Sequence, residues 1–385
     1  MLSFQGKPAN ITNTILGKIT FQKRNLLARH NRILVSETLG EKYWLYDGVI
    51  SPQETINLDF IKVPCIYGVT PDNLSIVKEG DIVVLEPDGN VTIIWDVNSP
   101  HNALLATGDC NCSCIMCPQP RKKDREGLLD FNLKIIDLID PERTNTLGIT
   151  GGEPTLLGDG LIKLIEACKK RLPKTSLLLL TNGRRFSDID YMRKIVYIGH
   201  PDLTFCIPLY ADTDKEHDKI VGVKGSFYET VKGIDNLALF RQKVEIRNVI
   251  IALNYRRLPQ FADFIYRNFP FALHVALMGM ETIEEAKRNL NKIWIDPIEY
   301  VKELQQAVRY LNRRAINVSI YNLPLCILPQ ELWGYSRKSI SLWKNIYLTM
   351  CESCDFRNEC GGFFGTSEGW HNKHIHPLKK LDIIT

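Results

Sequence analysis

The chain has 385 residues, 44% of them hydrophobic and 24% charged, which is room for a main domain with one or two small ones. Its 48 basic and 44 acidic residues leave a formal charge of +4, too close to balance to imply nucleic acid or membrane partners. No apolar run approaches the ~18 residues of a membrane span, and the stretch from Met1 to Lys18 lacks the apolar core of a signal peptide. Eleven cysteines in such a chain read as metal ligands and buried thiols, not as a disulfide framework, so the expected setting is reducing and cytoplasmic.

Residues 1–100 read as a β-rich accessory domain. Two apolar runs, 81–85 and 91–95, flank Pro87, Asp88, Gly89 and Asn90, which together predict a hairpin. Residues 101–321 alternate short apolar runs with helical patterns. Strand candidates are 103–105, 146–150, 176–180, 203–207, 244–251 and 273–277. Between them Leu161, Leu164, Ile165, Cys168 and Leu172 share one helical face. Another helix starts with Asp296 as cap, Pro297 in its first turn and Glu299 three residues on, with Ile298, Val301, Leu304, Val308 and Leu311 as its apolar stripe. The alternation predicts an α/β fold, a partial parallel (β/α)6 TIM-like barrel with right-handed crossovers and ligands at the carboxyl ends of its strands. Residues 322–385 break the repeat and read as a small cysteine-rich module.

The chemistry is concentrated in two loops. Cys110, Cys114 and Cys117 stand at a C-x3-C-x2-C spacing after the first strand candidate. Three thiolates on one short loop can hold three corners of a four-iron cluster and leave one iron open, whereas closed iron–sulfur sites use four. Cys112, within the same loop, is read as a bystander. The second loop, Thr150-Gly151-Gly152-Glu153-Pro154, ends the second strand candidate. Its glycines would let a ligand approach the backbone without Cβ obstruction, Glu153 could accept from an ammonium group, and Pro154 stiffens the turn.

Together these loops resemble the radical S-adenosylmethionine (SAM) superfamily over roughly residues 102–280. The resemblance implies that Cys110, Cys114 and Cys117 hold a [4Fe-4S] cluster whose fourth iron is chelated by the amino and carboxylate groups of SAM. It also implies that Gly151, Gly152, Glu153 and Pro154 receive the methionine end of that cofactor. In this family the residue before the last cysteine is often aromatic; here it is Met116. Asn182, in the Thr181-Asn182-Gly183 triplet ending the third strand, is a further candidate cofactor contact. A turn at the start of a helix explains it equally well. The segment from Pro208 to Asp212, followed by His217 and Asp218, resembles one in peptide-modifying members, with Pro208 in place of a serine that contacts ribose. His217 is read as structural.

In the tail, Cys326, Cys351, Cys354 and Cys360, followed by Gly361 and Gly362, can close one metal site. Zinc is the alternative, with His371, His374 or His376 as possible ligands. The spacing resembles the shortened twitch relative of the SPASM domain, which carries one auxiliary [4Fe-4S] cluster. Cys65, Cys168 and Cys206 lie in strand or helix patterns and are read as buried hydrophobes. The segments VEIRNVII (244–251), HVALMGME (274–281), WIDP (294–297), VSIYN (318–322) with Cys326, WKN (343–345) and CGGFF (360–364) resemble the His-Xaa-Ser system radical SAM maturase, C component. That resemblance implies modification of a ribosomally made peptide with His-Xaa-Ser repeats. It further implies a second radical SAM maturase, small partner proteins and an electron donor such as flavodoxin or ferredoxin. A radical enzyme acting on a small molecule or nucleotide, and a non-catalytic iron–sulfur sensor or scaffold, are the alternatives.

Overall fold

The computed structural model describes residues 2–23, 30–39, 43–57, 59–119, 127–339, 345–365 and 374–380. The chain divides into two compact units. One comprises Met1–Ala103, Leu129–Thr146 and Lys170–Thr175; the other comprises Leu104–Leu128, Leu147–Lys169 and Ser176–Thr385. The stretch after residue 322 therefore falls in the same unit as most of the α/β alternation. No helix among the described residues is long and apolar enough to cross a membrane.

The first unit is built on a mixed eight-stranded sheet. Its strands are β1 (Leu2–Gln5), β2 (Lys7–Ala9), β3 (Ile15–Thr20), β4 (Arg32–Val35), β5 (Gly48–Ile50), β6 (Cys65–Tyr67), β7 (Ile82–Leu85) and β8 (Asn90–Trp95). They lie in the order β1-β8-β7-β3-β4-β5-β6-β2. Short helix α1 (Pro71–Ser75) follows β6. The two edge strands are separated in sequence by Gly6 alone, so the sheet curls round on itself and its open edges are one bent segment. A side chain at Gly6 would meet Ile66 Cγ2 at 2.4 Å, so the bend requires glycine. Alternation sorts the strands' side chains: Ile33 and Val35 pack with Ile19, Ile50 and Leu85, while Leu34 packs with Val49 and Cys65 in a second cluster. The hairpin read from residues 81–95 forms, with Leu85 opposite Val91 and Gly89 at φ +88°.

The second sheet contains all six predicted strands. They are β9 (Asn102–Leu105), β10 (Thr146–Thr150), β11 (Ser176–Leu180), β12 (Leu203–Pro208), β13 (Lys243–Ile250) and β14 (His274–Gly279). Two further strands extend it, β15 (Val318–Tyr321) and the two-residue β16 (Ser336–Arg337), and the spatial order follows the chain from β9 to β16. The strands from β11 to β16 pair in parallel. The intervening helices are α2 (Leu128–Leu138), α3 (Asp159–Arg171), α4 (Ile189–Val196), α5 (Asp214–Val221), α6 (Ser226–Leu239), α7 (Leu258–Asn268), α8 (Glu284–Arg288), α9 (Leu290–Ile293) and α10 (Pro297–Asn312).

One face of this sheet is apolar: Phe205, Ile207, Val244, Ile246, Val275 and Ile320 are fully buried. The other carries half-buried groups, among them Glu245, Arg247, Met278 and Tyr321. The predicted face of α3 is buried at Leu161, Leu164, Ile165 and Cys168. In α10 the Asp296 side chain caps the Ile298 N–H as expected, but the buried stripe is rotated. Ile298 is 44% exposed and Tyr300, absent from the predicted stripe, is 2% exposed. Its large ring buries more apolar area than isoleucine would, and the helix turns to take it inward.

Candidate metal centre and cofactor site

The cysteine loop follows β9 and is pinned on several sides within the second unit. Ser113 N donates to Val221 O (2.8 Å) and Ile115 N to Ile220 O (2.9 Å), tying the loop to the end of α5. That approach depends on Gly222, at φ +72°, where a Cβ would stand 2.9 Å from Ser113 O. On another side Asn289 Nδ2 donates to Ile115 O (3.0 Å) and Glu285 N to Cys117 O (3.2 Å). Met116 is 4% exposed and packs with Ile220, Ile251, Met280 and Ile293. It anchors the loop as the aromatic residue would.

Within the loop Cys110 is exposed, Cys114 and Cys117 are half-buried, and Cys112 is buried. The Cys112 N–H points at Cys110 Sγ (3.4 Å). The Cys110 thiol is raised above its ordinary value by its hydrogen bond with Cys112 and then by burial. Among the described residues no three His, Cys, Asp or Glu side chains are grouped to hold a single ion. A four-iron cluster carries its thiolates at separate corners, and the soft sulfur donors of this loop suit iron–sulfur chemistry.

Three residues surround the buried sulfur: Asn182, a candidate in the sequence reading, and Arg184 and Tyr210, which it did not single out. Arg184 donates from Nη1 to Asn111 O (2.7 Å) and reaches Cys112 Sγ (3.6 Å), while its Nε pairs with Glu229 (2.6 Å). Asn182 Nδ2 donates to Asn111 Oδ1 (2.7 Å) and lies 3.4 Å from Cys112 Sγ. Asn182 Oδ1 also accepts from Arg184 N (3.1 Å), the helix-start turn weighed in the sequence reading. Tyr210, just past β12, is the third. Burial and the four loop sulfurs push its phenol well above the ordinary range, so it stays protonated beside them. Its position is set by Asn248 and Asn254, whose side chains donate to Leu209 O (2.8 Å) and Tyr210 O (2.9 Å). His217 is structural, as expected: Nδ1 accepts from Tyr210 N (3.2 Å), Nε2 meets Ser226 (3.4 Å), and burial lowers its pKa to about 4.

The second loop lies directly against the first. Gly152 N donates to Thr107 O and Glu153 N to Asp109 O, both at 2.7 Å. The space beside each glycine is filled by this chain. A Cβ on Gly151 would lie 2.3 Å from Thr107 O, and one on Gly152 would lie 2.2 Å from Asp109 O. The glycines thus admit the cysteine loop's own backbone, a correction to the expectation that their missing Cβ atoms leave room for a ligand. Glu153 is fully buried. Its Oε1 accepts from Thr155 N (3.0 Å), Thr155 Oγ1 (2.6 Å) and Thr181 Oγ1 (2.7 Å), and its Oε2 from Asn182 N (2.6 Å). Four internal donors fix the carboxylate, which locks the turn after β10 to the turn after β11. Pro154 is buried and opens the short 3-10 turn Pro154–Leu157.

The tail cysteines come together. Cys326, Cys351, Cys354 and Cys360 line one cavity with Tyr347, Phe356, Phe363 and His376. Backbone donors surround two of the sulfurs. Leu325 N and Gly362 N point at Cys360 Sγ (3.4 Å each), and Leu378 N points at Cys354 Sγ (3.3 Å). Such N–H groups favour a thiolate or metal-bound sulfur, while burial outweighs them at Cys360 and raises its thiol. Burial raises the Cys326 thiol to about 11. His376 borders the cavity, His374 Nε2 stands 3.8 Å from Asp296, and His371 lies outside the described residues. Cys65, Cys168 and Cys206 are buried, as expected of core thiols.

Residues 104–265 match the Radical SAM superfamily profile. The chain is 23% identical over 167 residues to a Methanocaldococcus jannaschii protein that carries the name of a glycyl-radical enzyme activating enzyme, covering 36% of this chain and 44% of that one. Among solved structures it is similar to Streptococcus suis SuiB bound to S-adenosylmethionine, with TM-score 0.48, 17% identity, 58% of this chain and 50% of that chain covered. It is also similar to anSMEcpe with bound AdoMet, with TM-score 0.45, 16% identity and 57% and 60% coverage. The chain thus spans about half the length of SuiB and less than half of the curated relative. The stretch that matches the superfamily profile begins at Leu104 and so takes in the cysteine loop and the turns after β10 and β11.

Proposed function

We propose that this protein is a radical SAM enzyme that modifies a ribosomally synthesised peptide. The observation carrying the proposal is the meeting of the cysteine loop after β9 with the turns after β10 and β11, inside a segment matching the superfamily profile. Cys110, Cys114 and Cys117 are the proposed cluster ligands. Their sulfurs are exposed or half-buried, whereas Cys112 is turned inward onto Asn182 and Arg184. Gly151, Gly152, Glu153, Pro154 and Asn182 form the proposed cofactor side. Bound there, a [4Fe-4S] cluster and SAM would supply one electron and a 5′-deoxyadenosyl radical that abstracts a substrate hydrogen. The chain's own part is positional: Glu153 holds two turns in register, and Arg184 and Asn182 hold the loop.

The peptide class rests on the sequence segments shared with the His-Xaa-Ser system maturase. A second radical SAM maturase, small partner proteins and a flavodoxin or ferredoxin donor are proposed with it. Anaerobic incubation of reconstituted protein with dithionite, SAM and a His-Xaa-Ser repeat peptide tests the reading. The expected result is 5′-deoxyadenosine together with a mass change in the peptide. Cleavage without peptide modification would favour a small-molecule or nucleotide substrate. A loaded cluster with no cleavage would leave a sensor or scaffold.

The cavity of Cys326, Cys351, Cys354 and Cys360 is proposed as an auxiliary [4Fe-4S] site of a twitch-like module. A triple Cys351, Cys354 and Cys360 to Ala variant should lose about half the bound iron, as expected for one of two four-iron clusters. It should still form 5′-deoxyadenosine while leaving the peptide unchanged. Stoichiometric zinc after anaerobic, iron-replete expression, without cluster absorbance, would overturn the assignment; His376 at the cavity edge makes this the comparison to run.

A further inference from the structure

The half-buried face of the second sheet carries a charged group that the cysteine loop does not use. In register, Cys206 stands beside Glu245 and Glu245 beside His274; Arg247 stands beside Ala276, and Ala276 beside Ser319. Glu245 Oε1 accepts from Arg247 Nε (2.5 Å), and its Oε2 pairs with His274 Nδ1 (2.9 Å). His274 Nε2 in turn meets Ser319 Oγ (2.9 Å). Burial alone would raise the Glu245 carboxyl; His274 and Arg247 reverse this and hold it at about 2. Glu245 is therefore a fixed anion that grips the guanidinium by its inner nitrogen.

Beyond Glu245 the guanidinium meets the Cys206 thiol but no further oxygen acceptor among the described residues. The Arg247 side chain is 16% exposed, and neither terminal nitrogen has an oxygen acceptor among the described residues. The Cys206 thiol and the Tyr321 phenol are its neighbours there. A half-buried fork of N–H donors without oxygen partners is costly unless something supplies them. A carboxylate fits it best, with two oxygens for two parallel bonds. A second cation, Arg337 on β16, stands in register with Tyr321 and extends the positive character along the same face.

We propose that Arg247 is the anchor of a substrate carboxylate, an acidic side chain or a chain terminus, on the half-buried face of β13–β15. The assignment rests on the reading of this unit as an enzyme that takes its substrate on that face. It favours the substrate over the cofactor because Arg247 lies four residues, about 13 Å along β13, before Ile251, against which Met116 of the cysteine loop packs.

Calorimetric titration of the reconstituted full chain with acetyl-glutamate amide and with its neutral isostere, acetyl-glutamine amide, tests this without any turnover. The acidic probe should bind at least about tenfold more tightly, the effect of one charge-assisted fork. Arg247→Gln should erase the preference, and saturating SAM should leave it in place. Equal affinities, or no binding of either probe by the wild-type chain, would overturn the proposal even if Arg247→Gln fails to fold. Displacement of the acidic probe by SAM, with SAM affinity lost in Arg247→Gln, would assign the fork to the cofactor's own carboxylate. A peptide that goes unmodified despite acidic-probe binding would count against the proposed activity and leave the anion site standing.

Discussion

Alanine at Cys110, Cys114 or Cys117 is expected to abolish reductive cleavage of SAM, whereas Cys112→Ala should retain the core cluster. The two halves have different physical grounds. Each of the three removes a thiolate from a set that has no spare, since closed clusters already use four and this one would use three. Cys112 is 5% exposed, and its sulfur takes contacts from Asn182 and Arg184. Deleting it leaves a small void and two polar groups short of a partner, a cost of about 1–3 kcal/mol to the loop. Arg184 keeps its bonds to Asn111 O and Glu229, so the loop should stay in place. Iron content, cluster absorbance and 5′-deoxyadenosine yield measure both halves. Loss of the core cluster in Cys112→Ala, with Cys110→Ala unaffected, would move the site to the C-x-C-x2-C set.

Six strands of the second sheet were legible because each is a short apolar run bounded by a turn, and a buried parallel strand needs nothing else; β15 was not among them. Nor was β16, since two residues, Ser336 and Arg337, carry no periodicity. The β-rich character of the first unit was visible in its hairpin, but the closure at Gly6 depends on which strands become neighbours across the sheet. The cysteine loop could be singled out because its proposed ligands are close together in sequence. Its supports could not. Arg184, Tyr210 and Asn289 come from three separate connections, and only the fold brings them to one place. The tail cysteines are an intermediate case: their types were informative, while the donors on Cys360 and Cys354 come from backbone groups that no residue identity announces.

The glycines show how a residue can be singled out correctly for an incomplete reason. A missing Cβ says that something comes close, and here that is the carbonyl of Asp109. Gly152→Val is therefore expected to cost the core cluster as well as cofactor binding. A Cβ placed 2.2 Å from Asp109 O and 2.7 Å from Gly108 O cannot be relieved by a side-chain rotation, because both obstacles are backbone. The loops must separate, at a cost of at least about 1–3 kcal/mol of overpacking. Separation breaks the Gly152 N to Thr107 O and Glu153 N to Asp109 O bonds. Asp109 immediately precedes Cys110, so the displacement falls on the first proposed ligand. The variant should take up markedly less iron at the core site, bind SAM weakly and produce no 5′-deoxyadenosine, while the tail site keeps its metal. Gly152→Ala should show the same defects, because the clash begins at Cβ. A Gly152→Val protein with a full core cluster and impaired SAM affinity alone would show that the two loops can part without disturbing Cys110. The glycine would then serve the cofactor directly.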